Sequence, residues 1–358
     1  PMAVITPPAA GLRSSTVWIH GVRRDLVLAT CWLPFAAVVV LLRPDGAALQ
    51  HFATAVLVLS LLHQPITLAL VYGDAEQFRR RRSLFVWSPV VLALLVFVGL
   101  QIDFLVVAVI GGLWNTHHTL MQRYGIVRIY RRKRPGSAPT SGRLDLALLM
   151  LWLFTVLAWV AASPQTSSRI ESLGLGTANE RSLELLVDVR PYAVVLLALV
   201  GTAAAAVTAR WVRHEWRAGL DANPAMYLYV AATLLLFAVA AVHPVAGLLA
   251  WVGSHAIEYF LIVVTNLQSR AEAAGDHRRP VMLRASAGRL GIVGVVVLVS
   301  AAGGGLVLVL QETAPLTAYA MVFFVIGGLH IFYEGLKWKL RRPTGASSFS
   351  IGASSVGS

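Results

Sequence analysis

Ten apolar stretches, nearly free of charge, recur along the chain, and no other feature limits its fold so severely. At about 18 to 25 residues, each is long enough to cross roughly 30 Å of hydrocarbon as an α-helix. They are Leu, Val and Ala runs rather than the short alternations of membrane strands. The expected fold class is therefore all-α: a polytopic integral membrane protein with about ten transmembrane helices. Their approximate limits are 26–43, 47–73, 84–101, 103–128, 144–162, 190–210, 225–242, 245–268, 288–310 and 315–337. Composition agrees, with 57% apolar and 13% charged residues and a mean hydropathy of +0.70. Three segments are expected: a cytoplasmic N-terminal piece (1–25), a single transmembrane helical domain (26–338) and a disordered Ser/Gly-rich cytoplasmic tail (339–358).

The net charge of +13 does not indicate nucleic acid, because the basic residues cluster at the ends of apolar stretches, where membrane topology explains them. Arg13, Arg23 and Arg24 precede the first stretch. RRRR (Arg79 to Arg82) follows the second, RIYRRKR the fourth and RWVRHEWR the sixth. Arg270, Arg278, Arg279 and Arg284 follow the eighth, and KWKLRR the tenth. The opposite connections RPDG, QID and QETAP are poor in base. Both termini are thus expected in the cytoplasm, with the protein in a bacterial-type cell (inner) membrane. The longer connection 163–191 mixes signs and is expected to carry a short amphipathic helix on the outer surface. At VHPVAG, Pro244 either kinks one long helix or opens the eighth. The lone cysteine, Cys31, excludes an internal disulfide and a CxxC metal knuckle. PMAVITPPAAG lacks a basic stretch leading into an apolar one, so no cleaved leader is expected.

Ionisable side chains within apolar stretches are costly and by default mark function. His63 lies in the second stretch, His117 and His118 in the fourth, His255 and Glu258 in the eighth, His330 and Glu334 in the tenth. These helices would all run in one direction. Counting back from the basic clusters puts the seven residues in the cytoplasmic half of the membrane, within a band of roughly 10 to 15 Å. His255 and Glu258 are spaced i, i+3, and His330 and Glu334 i, i+4, so each pair projects from one helical face. Gln122 shares a face with His118 in the same way, while His117 and His118 diverge by about 100°.

One histidine in a membrane helix is often only an interhelical hydrogen-bond partner, but five with two glutamates at one depth exceed that need. Helical bundles hold pairs of metal ions with Glu and His one turn apart on facing helices, here in the order His before Glu. The expected site is therefore a metal centre with His63, His117, His118, His255, Glu258, His330 and Glu334 as ligands. Imidazole beside carboxylate favours iron, two ions being expected, with zinc and copper as alternatives. Gln122, Tyr259, Tyr333 and Asn115 are candidates for supporting roles, as are His51 and His243.

His51 and His243 also open a rival reading. Each precedes a deeper histidine, His63 or His255, by twelve residues, a spacing that suits two stacked b-type haems passing electrons across the membrane. Haem would leave His117, His118, His330 and both glutamates without a role. HExxH, Walker and GxSxG motifs are missing, and no lysine lies within a stretch except Lys337 at the last boundary.

The histidine-rich pattern, with WNTHH (Trp114 to His118) at its centre, resembles the membrane non-haem di-iron enzymes, the fatty-acid desaturases and hydroxylases. More loosely it is similar to the bacterial carotene-cleaving dioxygenases. WNTHH keeps the final pair of the desaturase box HxxHH, with Trp114 where the first histidine belongs. The resemblance implies oxygen activation by iron. On this reading the protein is a metal-dependent oxidoreductase that uses dioxygen to hydroxylate, desaturate or cleave a lipid-like substrate drawn from the membrane lipids. An acidic cytoplasmic electron donor would dock on the basic inner surface. The competing class is a transition-metal or proton-coupled transporter. Its two halves, divided near residue 179, would share the histidines, although no convincing repeat relates them.

Overall fold

The computed structural model describes residues 18–42, 46–133, 141–166, 168, 178–217, 223–273, 282, 291–313 and 315–339. Twelve helices are delimited within them. They are α1 (Val22–Thr30), α2 (Leu33–Leu42), α3 (Gly46–Tyr72), α4 (Ala75–Arg80), α5 (Arg82–Ile102), α6 (Phe104–Arg132), α7 (Ser141–Ala162), α8 (Ala178–Arg217), α9 (Pro224–Val242), α10 (Pro244–Ala273), α11 (Gly291–Thr313) and α12 (Leu316–Lys339). No strand occurs among the described residues. Nine of these helices are long and apolar enough to cross a membrane, and α1 with α2 supplies a tenth if the two make one span. The N-terminal segment to residue 17, the tail from residue 340, His277, Arg278, Arg279 and Arg284 lie outside the described residues.

Prolines account for two of the boundaries. The first apolar stretch, expected as one helix, is a pair bent by 45°. Pro34 has no N–H to offer the Thr30 carbonyl, so the helical ladder is interrupted there. At VHPVAG the chain makes two helices. His243, at φ −136° and ψ 83° and so outside the helical region, is the residue before Pro244, where that region is disfavoured. Polar caps fix other starts. Asn223 accepts the Ala225 N–H ahead of Pro224, Asp74 accepts the Gln77 N–H, and Asp103 accepts the Leu105 N–H. The mixed-charge connection differs from expectation: from Ala178 it belongs to the same 40-residue helix as the sixth apolar stretch, with Pro191 inside it.

The fold divides into two compact units. The first is Pro1–Gln50 with Leu120–Trp251, the second His51–Thr119 with Val252–Ser358. Each division falls inside a helix (α3, α6 or α10), so no linker composition marks it.

In the first unit, α7 packs along α8, and Trp152 donates its indole N–H to Thr208 Oγ1 at 2.9 Å. A buried ion cluster ties four helices together. Arg131 of α6 donates to Asp145 of α7 through Nε at 2.6 Å and Nη2 at 2.5 Å, and to Glu215 of α8 at 2.9 Å. The Trp211 indole also donates to Asp145, and Tyr227 of α9 donates to Glu215. Arg131 is therefore more than a marker of topology. Arg123, also buried, donates to Thr233 Oγ1, and its guanidinium lies 5.3 Å from the Trp251 ring and 5.8 Å from that of Tyr229.

In the second unit, Ile66, Leu70, Tyr259, Val263 and Val296 form one apolar cluster, and Val71, Phe85, Leu329 and Tyr333 another. Small residues set the helix spacing around His63. A Cβ on Gly303 would overlap the Pro65 ring, and one on Gly304 would overlap Leu62. Both glycines let α11 close on α3 on either side of that histidine.

Candidate metal centre

Four helices of the second unit each deliver one buried imidazole: His63 from α3, His118 from α6, His255 from α10 and His330 from α12. One nitrogen each from His63, His255 and His330 lies within 4.8 Å of the others. The closest pair, His63 Nε2 and His330 Nε2, are 3.2 Å apart. His118 packs against this group without its nitrogens joining it. Its ring centroid is 5.1 Å from His255 and 5.0 Å from His330, while His63 lies 4.9 Å from His255 and 4.6 Å from His330. The rings thus close a quadrilateral whose corners His255 and His330 are 6.3 Å apart.

These dimensions suit a single ion. With metal–nitrogen bonds of about 2.1 Å, imidazole centroids sit roughly 3 Å from a shared ion, so neighbouring centroids fall roughly 4.5 to 5.2 Å apart. The chemistry of the donors agrees. Nε2 of His118 is buried and has no hydrogen-bond partner among the described residues, which leaves it able to act as a ligand. A porphyrin does not fit between His63 and His255, the inner pair of the haem reading: their ring centroids are only 4.9 Å apart, edge to face, whereas bis-histidine haem needs its two imidazoles on opposite sides of a macrocycle.

A hydrogen-bonded shell orients His330. Its Nδ1 lies 2.8 Å from Thr67 Oγ1, which also donates to Glu334 Oε1 at 3.2 Å. Tyr259 lies 2.5 Å from the same threonine hydroxyl and donates to Glu334 Oε1 at 3.1 Å. With Nδ1–H donating to Thr67, His330 turns the lone pair of Nε2 toward His63. This is how outer partners fix the tautomer of a metal-binding histidine. Thr67 went unnoticed in the sequence although it lies one turn beyond His63 on the same face. Threonine commonly satisfies itself on its own helix backbone, so spacing alone does not single it out. Thr67→Val keeps the shape and removes the hydroxyl. It is expected to weaken metal binding by about 10- to 100-fold, measured by competition with a chelator.

The other expected site residues are distributed differently. Glu334 is linked to His330 through Thr67, and Glu258 is buried one turn beyond His255; neither belongs to the converging group of nitrogens. His117 is exposed, on a different side of α6 from His118. Asn115 is half-buried one turn before His118. Tyr333 is buried, but its hydroxyl bonds to Tyr72 and Ser88 in the second apolar cluster. His51 is exposed. His243 and Gln122 belong to the first unit, where Gln122 is half-buried and His243 Nδ1 accepts the Ala246 N–H at the start of α10.

Fold and site together define a helical protein, rich in membrane-length apolar helices, with a buried histidine cluster able to take a metal ion. No protein-family model, curated protein or solved structure matches the chain.

Proposed function

We propose that the protein is an integral membrane metalloenzyme that holds one redox-active ion, iron in preference to copper or zinc, and uses dioxygen to oxidise a lipid-like substrate. The convergence of buried imidazole nitrogens from His63, His255 and His330, with the His118 ring packed against two of them, carries this reading. His63, His118, His255 and His330 are the ligands. Four neutral imidazoles leave open positions on an ion that prefers six, whereas they would close the shell of tetrahedral zinc. A divalent ion inside an apolar interior also needs countercharge, and Glu258 and Glu334, each buried one turn from a ligand, bring two negative charges. The bound ion would supply dioxygen activation. Thr67, Tyr259 and Glu334 hold His330 in place, and Tyr259 presents a hydroxyl able to move a proton beside the site.

Membrane insertion is supported by the side chains that α5 leaves exposed, among them Val90, Val91, Leu94, Leu95 and Val98. Such a face is at home in lipid. An apolar substrate would enter from the bilayer, and electrons from a cytoplasmic donor docked on the basic end of the helices.

Elemental analysis and an optical spectrum of detergent-purified protein come first. About one iron per chain without a Soret band is expected, together with a product from membrane lipid extract that disappears under anaerobic conditions. Absence of bound metal would overturn the reading. So would oxygen-insensitive uptake of the metal into proteoliposomes, which would make the chain a carrier.

A further inference from the structure

The last two turns of α8 carry a feature that the metal centre does not use. Arg210, Arg213, His214 and Arg217 are spaced i, i+3, i+4 and i+7, so they share one face, and with Ala209 they line an open groove. The three arginines are exposed, and no carboxylate among the described residues pairs with them. The neighbouring acid, Glu215, is buried, accepts hydrogen bonds from Arg131 and Tyr227, and lies 4.0 Å from His214 Nε2 but pairs with none of the three arginines, which keep the groove positive. Trp216, 85% exposed, stands beside it. On the same face, receding from Arg210 by three or four residues at a time, Ala206, Thr202, Leu199 and Val195 are exposed, and the Thr202 hydroxyl is spent on the Ala198 carbonyl.

We propose that this groove binds the phosphate headgroup of an anionic phospholipid, with the acyl chains lying along the exposed apolar side of α8. Charge complementarity selects the headgroup, since arginine forks match phosphate oxygens in pairs. The continuity of the basic groove with an apolar track favours a lipid over an acidic protein, which would need no such track. An exposed tryptophan beside the groove, Trp216, is the usual marker of the membrane interface. The assignment rests on the membrane reading above, and is independent of the metal.

The test uses full-length protein in a neutral detergent. Phosphatidylglycerol and phosphatidylcholine are titrated in parallel, and retained lipid is read by native mass spectrometry. Wild type is expected to retain phosphatidylglycerol preferentially. The variant R210Q/R213Q/R217Q should bind it on the order of a hundred-fold more weakly, since each basic side chain near a charged headgroup contributes about a factor of five. A control variant, R79Q/R80Q, removes two exposed arginines elsewhere and should bind as wild type. Equal retention by all three proteins, or equal retention of both lipids, would overturn the proposal. It would also fall if glycerol phosphate competed at concentrations matching the lipid, showing a site for free phosphate, or if acidic polyglutamate bound the groove and the lipid did not. Should R210Q/R213Q/R217Q fail to fold, the lysine-substituted triple variant replaces it and is expected to keep the preference for phosphatidylglycerol while binding it several-fold more weakly, having lost the paired hydrogen bonds of the guanidinium forks; binding as tight as wild type would overturn that role. Carbonate extraction separates the two readings: a chain released from membranes by carbonate would refute membrane insertion, while a retained chain without lipid preference refutes only the groove.

Discussion

Replacing His255 with alanine is expected to reduce the metal content of the purified protein from about one ion per chain to below a tenth of that, with the helices still formed. Loss of an outer partner alone commonly weakens a metal site by about 10- to 100-fold, and His255 is proposed as a direct ligand, so its loss should cost at least as much. His255 closes two sides of the ring quadrilateral, against His63 and His118. The informative comparison is His117→Ala. In sequence His117 and His118 are equals, but His117 is exposed and His118 buried among the other rings. His117→Ala should therefore retain its metal and His118→Ala should lose it. Elemental analysis with thermal melting in detergent decides the matter. Equal loss from both variants, or from neither, would remove the four-imidazole centre.

The second large effect belongs to the other unit. Arg131→Met is expected to destabilise the protein by about 3 to 5 kcal/mol, because it leaves the buried carboxylates of Asp145 and Glu215 without their shared guanidinium. Trp211 and Tyr227 would still donate to them, but neither carries charge. Neutralising the acids together with the base, as in R131M/D145N/E215Q, should recover much of the loss, since a buried ion cluster is costly to break and far less costly to replace whole. Unfolding in mixed micelles with increasing denaturing detergent measures both. Additive losses on going from the single to the triple variant would show that these residues act independently.

The two predictions mark different depths of legibility in the sequence. Several helix limits could be read closely, as with α5 and α9, expected at 84–101 and 225–242, because proline, capping residues and apolar length act locally. The candidate site was legible in part. His63, His118, His255 and His330 stood out because an imidazole in an apolar stretch is costly wherever it occurs. His117 looked the same, since burial depends on which side of α6 meets other helices. Arg131, Asp145 and Glu215 were hidden for the opposite reason: near a helix end, basic and acidic residues ordinarily face water, and nothing in their local spacing says that they meet.

What the sequence determined by itself is the set of long apolar helices and the few polar residues set into them, because chain length, hydropathy and proline act over one or two turns. Only tertiary structure decided that three of five histidines bring nitrogens within 4.8 Å of one another with His118 packed beside them, that Thr67 bridges His330 to Glu334, and that Arg131 closes an ion cluster rather than facing solvent. These are contacts between residues as much as 267 positions apart, as for His63 and His330. They depend on which helical faces meet, and in an apolar interior that choice is made by packing, such as Gly303 and Gly304 against α3, and by the need of every buried polar group for a partner.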